Sequence, residues 1–337
     1  MSLIALSCDH SFNPTGPTDI RLIVFSILST DRSAQFVRVS APHAADDPNS
    51  SFIADSGVTD ASVILRQFHE KKGYQISYDP GRIFRDTVLW RPTGNQAGSP
   101  VYLYGLAPFT PEPGGMYILT VSSPSHGSAS ATVFMPPTPT LVFHGSYLIL
   151  SNPLAANRDV PIQFSVRLSG YLPTNSTGQP AGPQGYVPRL YVDYDVQKDG
   201  AWVSERAEVP ISSADTANCT LDSPVYPKMQ RWTSDDFLVG FKNGYLKSVI
   251  SDIANVRYAT NKLMFKRVVF MFLEADANLY GYYASAHLED DPRSIRLDTP
   301  LFPRMSGGGS YGRGVLGGYT LDSLYRDLPA DFGLNHK

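Results

Sequence analysis

Few residues in this chain have the types and spacing that could do chemistry. Gly308-Gly-Ser310-Tyr-Gly312 matches the nucleophile pattern G-x-S-x-G, and Asp322, Asp327, Asp331 and His336 follow in the hydrolase order of serine, acid, histidine. Such an elbow needs a strand before the serine and a helix after it, so that the hydroxyl stands strained above a sheet. Here Pro303 precedes and more glycines follow. Gly307, Gly309 and Gly312 also match G-x-G-x-x-G, but a dinucleotide site needs a strand-helix-strand unit with an acid about 20 residues on. That context is missing. The glycines read instead as a loop that lets backbone approach closely or adopt positive φ.

Asp193 and Asp195 lie on one strand face, about 7 Å apart by strand rise. Paired carboxylates at such spacing can act as glycosidase acid and base. With Asp199 they also suggest a calcium loop, yet Gln197 and Lys198 stand where an EF-hand needs an oxygen ligand and a glycine. Glu274, Asp276 and Asn278 fail similarly, with Leu279 and Ser285 at the positions of the glycine and the bidentate glutamate. The plainer readings are a solvated strand face and a helix cap. The seven histidines show no H-x-H or i,i+4 pairing, and Cys8 and Cys219 are too few for a zinc knot or a disulfide framework. We assign no catalytic residue, no cofactor and no metal, and read the chain as non-enzymatic.

Composition points the same way. The 337 residues suit about two domains. Lys+Arg 28 against Asp+Glu 31 gives a net charge of -3, which argues against a nucleic-acid binder working by phosphate neutralisation. Charged residues are 18%, below the roughly 25% usual in soluble proteins, while 27 Gly, 27 Pro, 19 Tyr and 17 Phe suit a turn-rich β-protein. No apolar run approaches the ~18 residues of a membrane span.

The elements that must position any site are mostly strands. Residues 20–29 and 34–40 are rich in β-branched and aromatic types, and Met116–Val121 alternates with period two after a Pro-Gly-Gly turn. Further strands are predicted at 129–134, 141–151, 161–170, 189–197, 201–209 and 265–273, with a hairpin at Lys198-Asp199-Gly200. Leu246, Val249, Ile250 and Ile253 suggest a helix within 235–258, and 275–287 reads as a short helix capped by Asp276. The fold expected is mainly β: an immunoglobulin-like sandwich over 20–134, a stiff Pro-rich linker at 135–140, and a larger sandwich with one or two short helices over 141–337. The stretches 41–57, 69–100 and 171–188 are read as polar excursions. Tyr74, Tyr78, Trp90, Tyr102 and Tyr104 are candidate binding-loop aromatics, able to stack on a glycan or small molecule or anchor a protein partner. The plainer alternative is that they cover a sandwich edge.

At the N-terminus, Leu3–Leu6 is a short apolar piece before Ser7-Cys8 and a polar run to residue 19. This looks like the end of a lipoprotein signal followed by a tether, with Cys8 as the lipidated residue. Val58-Thr-Asp-Ala-Ser-Val63, Pro113-Gly-Gly-Met-Tyr117, Ala131 to Pro136, the Tyr-rich Asn278–Tyr283 and Gly307–Gly317 follow in order. Together they resemble the Bacteroidetes surface-lipoprotein family labelled domain of unknown function 4249, over nearly the whole chain. The late glycine motif departs from the Asn-Ile-Gly-Gly type common there. The resemblance implies an outer-membrane, lipid-anchored protein with no catalytic residues, an accessory subunit whose partner is a TonB-dependent receptor. Other readings are a structural subunit of a surface assembly and a secreted hydrolase.

Overall fold

A computed structural model describes residues 20–41, 57–71, 75–90, 100–144, 161–168, 185–210, 228–231, 236–259, 262–286 and 311–328. The predicted tether 1–19 with Cys8, and also Tyr74, lie outside these residues.

Alternation of side chains builds the first half. Strand β1 (Ile20–Ser29) buries Leu22, Val24, Ser26 and Leu28 and turns Phe25 and Ile27 to the other face. It is followed by β2 (Gln35–Ser40), β3 (Ser62–Lys71), β4 (Gln75–Tyr78), β5 (Arg82–Ile83), β6 (Arg85–Trp90), β7 (Pro100–Leu106), β8 (Met116–Ser123) and β9 (Gly127–Phe134). In β8, Tyr117, Leu119 and Val121 point inward. The second half holds β10 (Pro139–His144), β11 (Pro161–Leu168), β12 (Gly185–Lys198), β13 (Ala201–Val209), β14 (Gln230–Arg231), β15 (Asp236–Lys242), helix α1 (Asn243–Asp252) with a π-turn at Ile253–Arg257, β16 (Leu263–Ala275), helix α2 (Ala277–Ala286) and β17 (Tyr311–Asp327).

The fold is mainly β, as expected. One nine-stranded sheet runs in the order β13-β12-β16-β17-β1-β2-β7-β6, with β14 beside β12. A sheet β4-β3-β8-β9, with β5 on β3, faces its β17-β1-β2-β7 part, and a sheet β10-β11-β15 faces its β13-β12-β16 part. Each pairing encloses a core. The first packs Leu22, Val24, Val37, Leu119, Val133 and Met135; the second packs Phe164, Phe241, Leu246, Ile250, Phe270 and Phe272. Phe164 and Phe270 stack with centroids 4.1 Å apart, joining the two layers of the second core.

Strand β17 belongs to both halves. Tyr311–Tyr319 pairs in parallel with β1, and Tyr319–Asp327 pairs antiparallel with β16. Leu316 lies in the first core, while Leu324 packs against the second. The chain from 20 to 134 thus completes its core with a residue from the far end of the sequence.

Several expectations change. The stretch 69–100 is not a plain loop: it holds β4, β5 and β6, and β4 and β6 end the strand orders of their sheets, where a strand is paired on one side only. Residues 236–242 are a strand, and the helix begins at Asn243. The segment 135–140, expected as a stiff Pro-rich linker, is packed into the fold. Met135, Pro136 and Pro137 are buried, and Pro139 opens β10 opposite Leu168, at a strand's first position where proline is tolerated. The glycines from Gly312 onward form a strand, not a loop. The hairpin at Asp199 and Gly200 forms as expected, both residues adopting positive φ (50° and 82°).

Gly314 is the position where β17 depends most on glycine. Its φ is +137°, and a Cβ there would lie 1.7 Å from the Val24 carbonyl oxygen of β1. Gly314→Ala is therefore expected to cost at least about 3 kcal/mol of unfolding free energy. Gly240→Ala in β15, where the nearest atom is 3.9 Å away, is expected to change it by less than about 1 kcal/mol. Denaturant unfolding of the two variants checks this; equal effects would contradict the β1–β17 geometry.

Candidate functional site

The outward face of β12, β13 and β16 gathers the charges singled out in the sequence. Strand pairing sets Asp193 between Arg206 and Arg267, and Asp195 beside Ser204. Asp193 accepts from Arg206 Nε and Nη2 (2.6 and 3.0 Å) and from Arg267 Nε (2.9 Å). Asp195 accepts from Lys266 Nζ (2.8 Å) and Ser204 Oγ (2.7 Å). A register shift in β16 next to Arg267 brings Lys266 to this face. Nearby, Glu205 binds Lys198 and accepts from the Tyr258 and Tyr194 hydroxyls (2.6 and 2.9 Å). Arg206 lies over Tyr191, Arg267 over Tyr325 and Lys198 over Tyr258.

These contacts set the protonation. Burial works to raise the Asp193 carboxyl, but Arg206 and Arg267 outweigh it and hold it below its usual range. Lys266 does the same for Asp195, and Lys198 with Tyr258 takes Glu205 down to about 2. A general acid must carry a proton near neutral pH, and a general base needs a free lone pair directed at substrate. Asp193 and Asp195 carry no proton, and both oxygens of each are bonded. They form an ion-pair array over the shallow recess of about 260 Å³ that they line with Tyr194, Ser204 and Glu205.

A second set of acids lies at the junction of the two halves. Asp276 caps α2 as predicted: its Oδ1 accepts from the Leu279 N–H (2.9 Å) and also from the Gly318 N–H of β17 (2.9 Å). Burial pushes its carboxyl up to about 7, against the pull of those backbone donors. The Asn278 amide donates to the carbonyls of Thr132 and Leu316, so this side chain offers donors where a cation would need oxygens. Glu274 stands opposite Tyr186 on one side and Thr320 on the other. It is fully buried, and neither carboxyl oxygen has a hydrogen-bond partner among the described residues. Burial pushes it up to about 8.

Of the four described candidate aromatics, Tyr102 and Tyr104 line one recess, and Tyr78 lies in a different sheet. Tyr104 is buried, donates to the Val58 carbonyl (2.8 Å) and accepts from the Ala61 N–H (3.1 Å), so it secures a loop. Tyr102 is exposed and lines a recess of about 210 Å³ with Val58, Thr59, Asp86 and Val88. Trp90 pairs with Pro100 at the β6–β7 edge, whereas Tyr78 pairs with Phe68 in the separate sheet of β3 and β4. The last glycine of the G-x-S-x-G pattern, Gly312, already lies in β17, so a strand stands where the nucleophile elbow requires a helix.

One concavity among the described residues has no counterpart in the sequence reading. On the outward face of β1, β2, β7 and β17, Phe25, Ile27, Phe36, Leu103 and Val315 floor a groove of about 490 Å³. Tyr282 of α2 walls it, with its ring edge-on to Phe25 at 6.3 Å. Phe25, Ile27 and Phe36 remain 36%, 47% and 36% exposed. A signal existed: Ile23, Phe25 and Ile27, the outward positions of β1, are as apolar as the inward ones. A strand apolar on both faces expects cover on both. No protein-family model and no curated protein matches this sequence.

Glu274 generates a pH test. Its raised value means that the folded chain keeps a proton that the unfolded chain has already released above its ordinary value of 4.5. Its contribution to stability is complete below pH 4.5 and is lost as pH rises to about 8. Glu274→Gln cannot ionise. Its unfolding free energy is expected to gain on the parent's by on the order of 4 kcal/mol between acidic and mildly alkaline pH. Parallel stability curves for the two proteins would contradict the burial of this acid.

Proposed function

We propose that this chain is a non-enzymatic binding subunit at the bacterial outer membrane, held there by lipid on Cys8 and accessory to a TonB-dependent receptor. The membership, the anchor and the partner follow the resemblance to the surface-lipoprotein family 4249. The observation that carries the binding role is the apolar groove over β1, β2, β7 and β17. Exposed apolar surface gathered into one concavity, and backed by a continuous sheet, is what an interaction site presents. The acids that are candidates for catalysis are engaged otherwise, Asp193 and Asp195 by cations and Asp276 by backbone donors.

The test is purification of the native, full-length protein from gently solubilised membranes, with co-purifying proteins identified by mass spectrometry. A large outer-membrane barrel in stoichiometric yield is expected, through an interface of about 1,000 Å² or more, with its recovery lost on Ile27→Asp. Recovery of the protein alone in the soluble fraction overturns both anchor and accessory role. Recovery of copies of itself or of other surface β-proteins transfers it to a structural assembly.

A further inference from the structure

The recess at the β6–β7 edge holds a carboxylate that has no hydrogen bond and no ion pair among the described residues. Asp86 lines it with Val58, Thr59, Val88, Tyr102 and Tyr104. Strand pairing sets Asp86 opposite Tyr104 and Val88 opposite Tyr102. Asp86 and Tyr102 are therefore diagonal neighbours on one sheet face, with Cα atoms about 7 Å apart. Asp86 is exposed, and Tyr102 and Val88 remain 43% and 44% exposed, so the carboxylate and the ring are both open to a ligand. Arg85, the chain neighbour of Asp86, stands on the opposite face of β6. The other acid acting on Tyr104, Asp60, is already bonded by the hydroxyls of Ser123 and Ser125 (2.7 and 2.6 Å).

The lining decides what kind of ligand fits. None of its side chains carries nitrogen. The Tyr104 hydroxyl is already committed, donating to Val58 and accepting from Ala61. What remains accepts: the carboxylate oxygens of Asp86, the hydroxyl oxygens of Thr59 and Tyr102, and the negative face of the Tyr102 ring. An anion would meet like charge there, whereas a cation that only donates finds each of these groups complementary. At about 210 Å³ the recess lies below the roughly 300–1,000 Å³ of cofactor and drug-sized pockets, and it suits a group the size of one side chain.

Elsewhere this chain shows the same pair of groups occupied. On β12, Tyr191 and Asp193 stand two residues apart, also about 7 Å along one face. Arg206 takes both: its Nε and Nη2 donate to the Asp193 carboxylate, and its guanidinium carbon lies 5.2 Å from the Tyr191 ring centroid. A planar guanidinium can pair with a carboxylate and lie against an aromatic face at once, whereas an ammonium has no fork to match. In the recess, Val58 and Val88 add apolar walls of the kind that an aliphatic stem covers.

We propose that the recess at Asp86 and Tyr102 binds a guanidinium group on an aliphatic stem, carried by an arginine side chain or by a free alkylguanidinium, with two N–H groups on the carboxylate, the guanidinium plane against the Tyr102 ring and the methylenes against Val58 and Val88. This goes beyond the accessory role and does not involve the groove.

Saturation-transfer NMR on the full chain tests it, with N-acetylarginine methylamide and butylguanidinium as probes. Binding is expected in the roughly millimolar range of so small a ligand, weakening as salt rises. The citrulline analogue, of the same shape without the charge, is expected to bind about tenfold more weakly, and the lysine analogue also more weakly than arginine. Asp86→Asn, at an exposed side chain, is expected to cost about tenfold, with its melting curve unchanged. Tyr102→Ala is expected to cost about fivefold and Tyr102→Phe little, because the ring face is kept. The two probes separate the sources: equal affinity identifies a free alkylguanidinium as a sufficient ligand, and tighter binding of the methylamide identifies arginine within a polypeptide. No signal from either probe, citrulline or lysine analogues binding as tightly as arginine, or binding indifferent to Asp86→Asn overturns the proposal.

Discussion

The parallel pairing of β17 with β1 is the constraint on which the rest of the molecule depends. Ile20 meets Tyr311, and Ser29 meets Tyr319, so nearly the whole described chain lies between paired residues. Without this pairing the nine-stranded sheet divides in two, and the first core loses Leu316. Contacts of such sequence separation require a large loop to close before they add stability. The contact is correspondingly close. Backbone of β17 passes Val24 at a distance that only a residue without Cβ permits, and Leu279 of α2 packs directly on Gly317.

That pairing creates a difficulty which α2 solves. Strand β16 ends at Ala275, opposite Tyr319, so the earlier part of β17 has β1 on one side and, among the described residues, no strand of this sheet on the other. Unpaired strand edges invite aggregation and leave polar backbone groups to be satisfied. The chain turns into α2 at that point and offers polar groups to the edge. Asp276 N–H donates to the Gly318 carbonyl, Asp276 Oδ1 accepts from the Gly318 N–H, and the Asn278 amide donates to the Leu316 carbonyl. An acid used this way must be buried, which accounts for the elevation of Asp276. Glu274, two residues earlier, shares the burial without the donors and is elevated further.

These relations explain how much was legible in the sequence. The strands with one face inward, such as Met116–Ser123 and Leu263–Ala275, announce themselves through alternation or apolar runs, and Asp276 announces a helix start through its type and place. Edge strands carry weaker signals, so Arg85–Trp90 reads as loop. The glycine run misleads because glycine marks both loops and close packing, and only the partners Val24 and Leu279 tell the two apart. Asp193 and Asp195 are correctly placed on one strand face. Their neutralisation is not readable there, because Arg206, Lys266 and Arg267 come from other strands, and a register shift delivers Lys266. The groove was half legible: β1 shows two apolar faces, but the other strands of its floor are joined to it only by the sheet order.

The outward face of the nine-stranded sheet then carries the functional distinction. Beyond α2 on one side, the charges over β12, β13 and β16 are arranged so that each central carboxylate already has its cation, and each arginine an aromatic face. Binding a charged ligand there would first require breaking those pairs, each a charge-assisted bond in a half-buried setting. On the other side of α2, Phe25, Ile27 and Phe36 have no described apolar layer above them, whereas the inward neighbours Val24 and Val37 are fully covered. Removing that surface from water is favourable in proportion to its area. Of the two halves of this face, the apolar one is therefore the one with free energy left to gain from a partner.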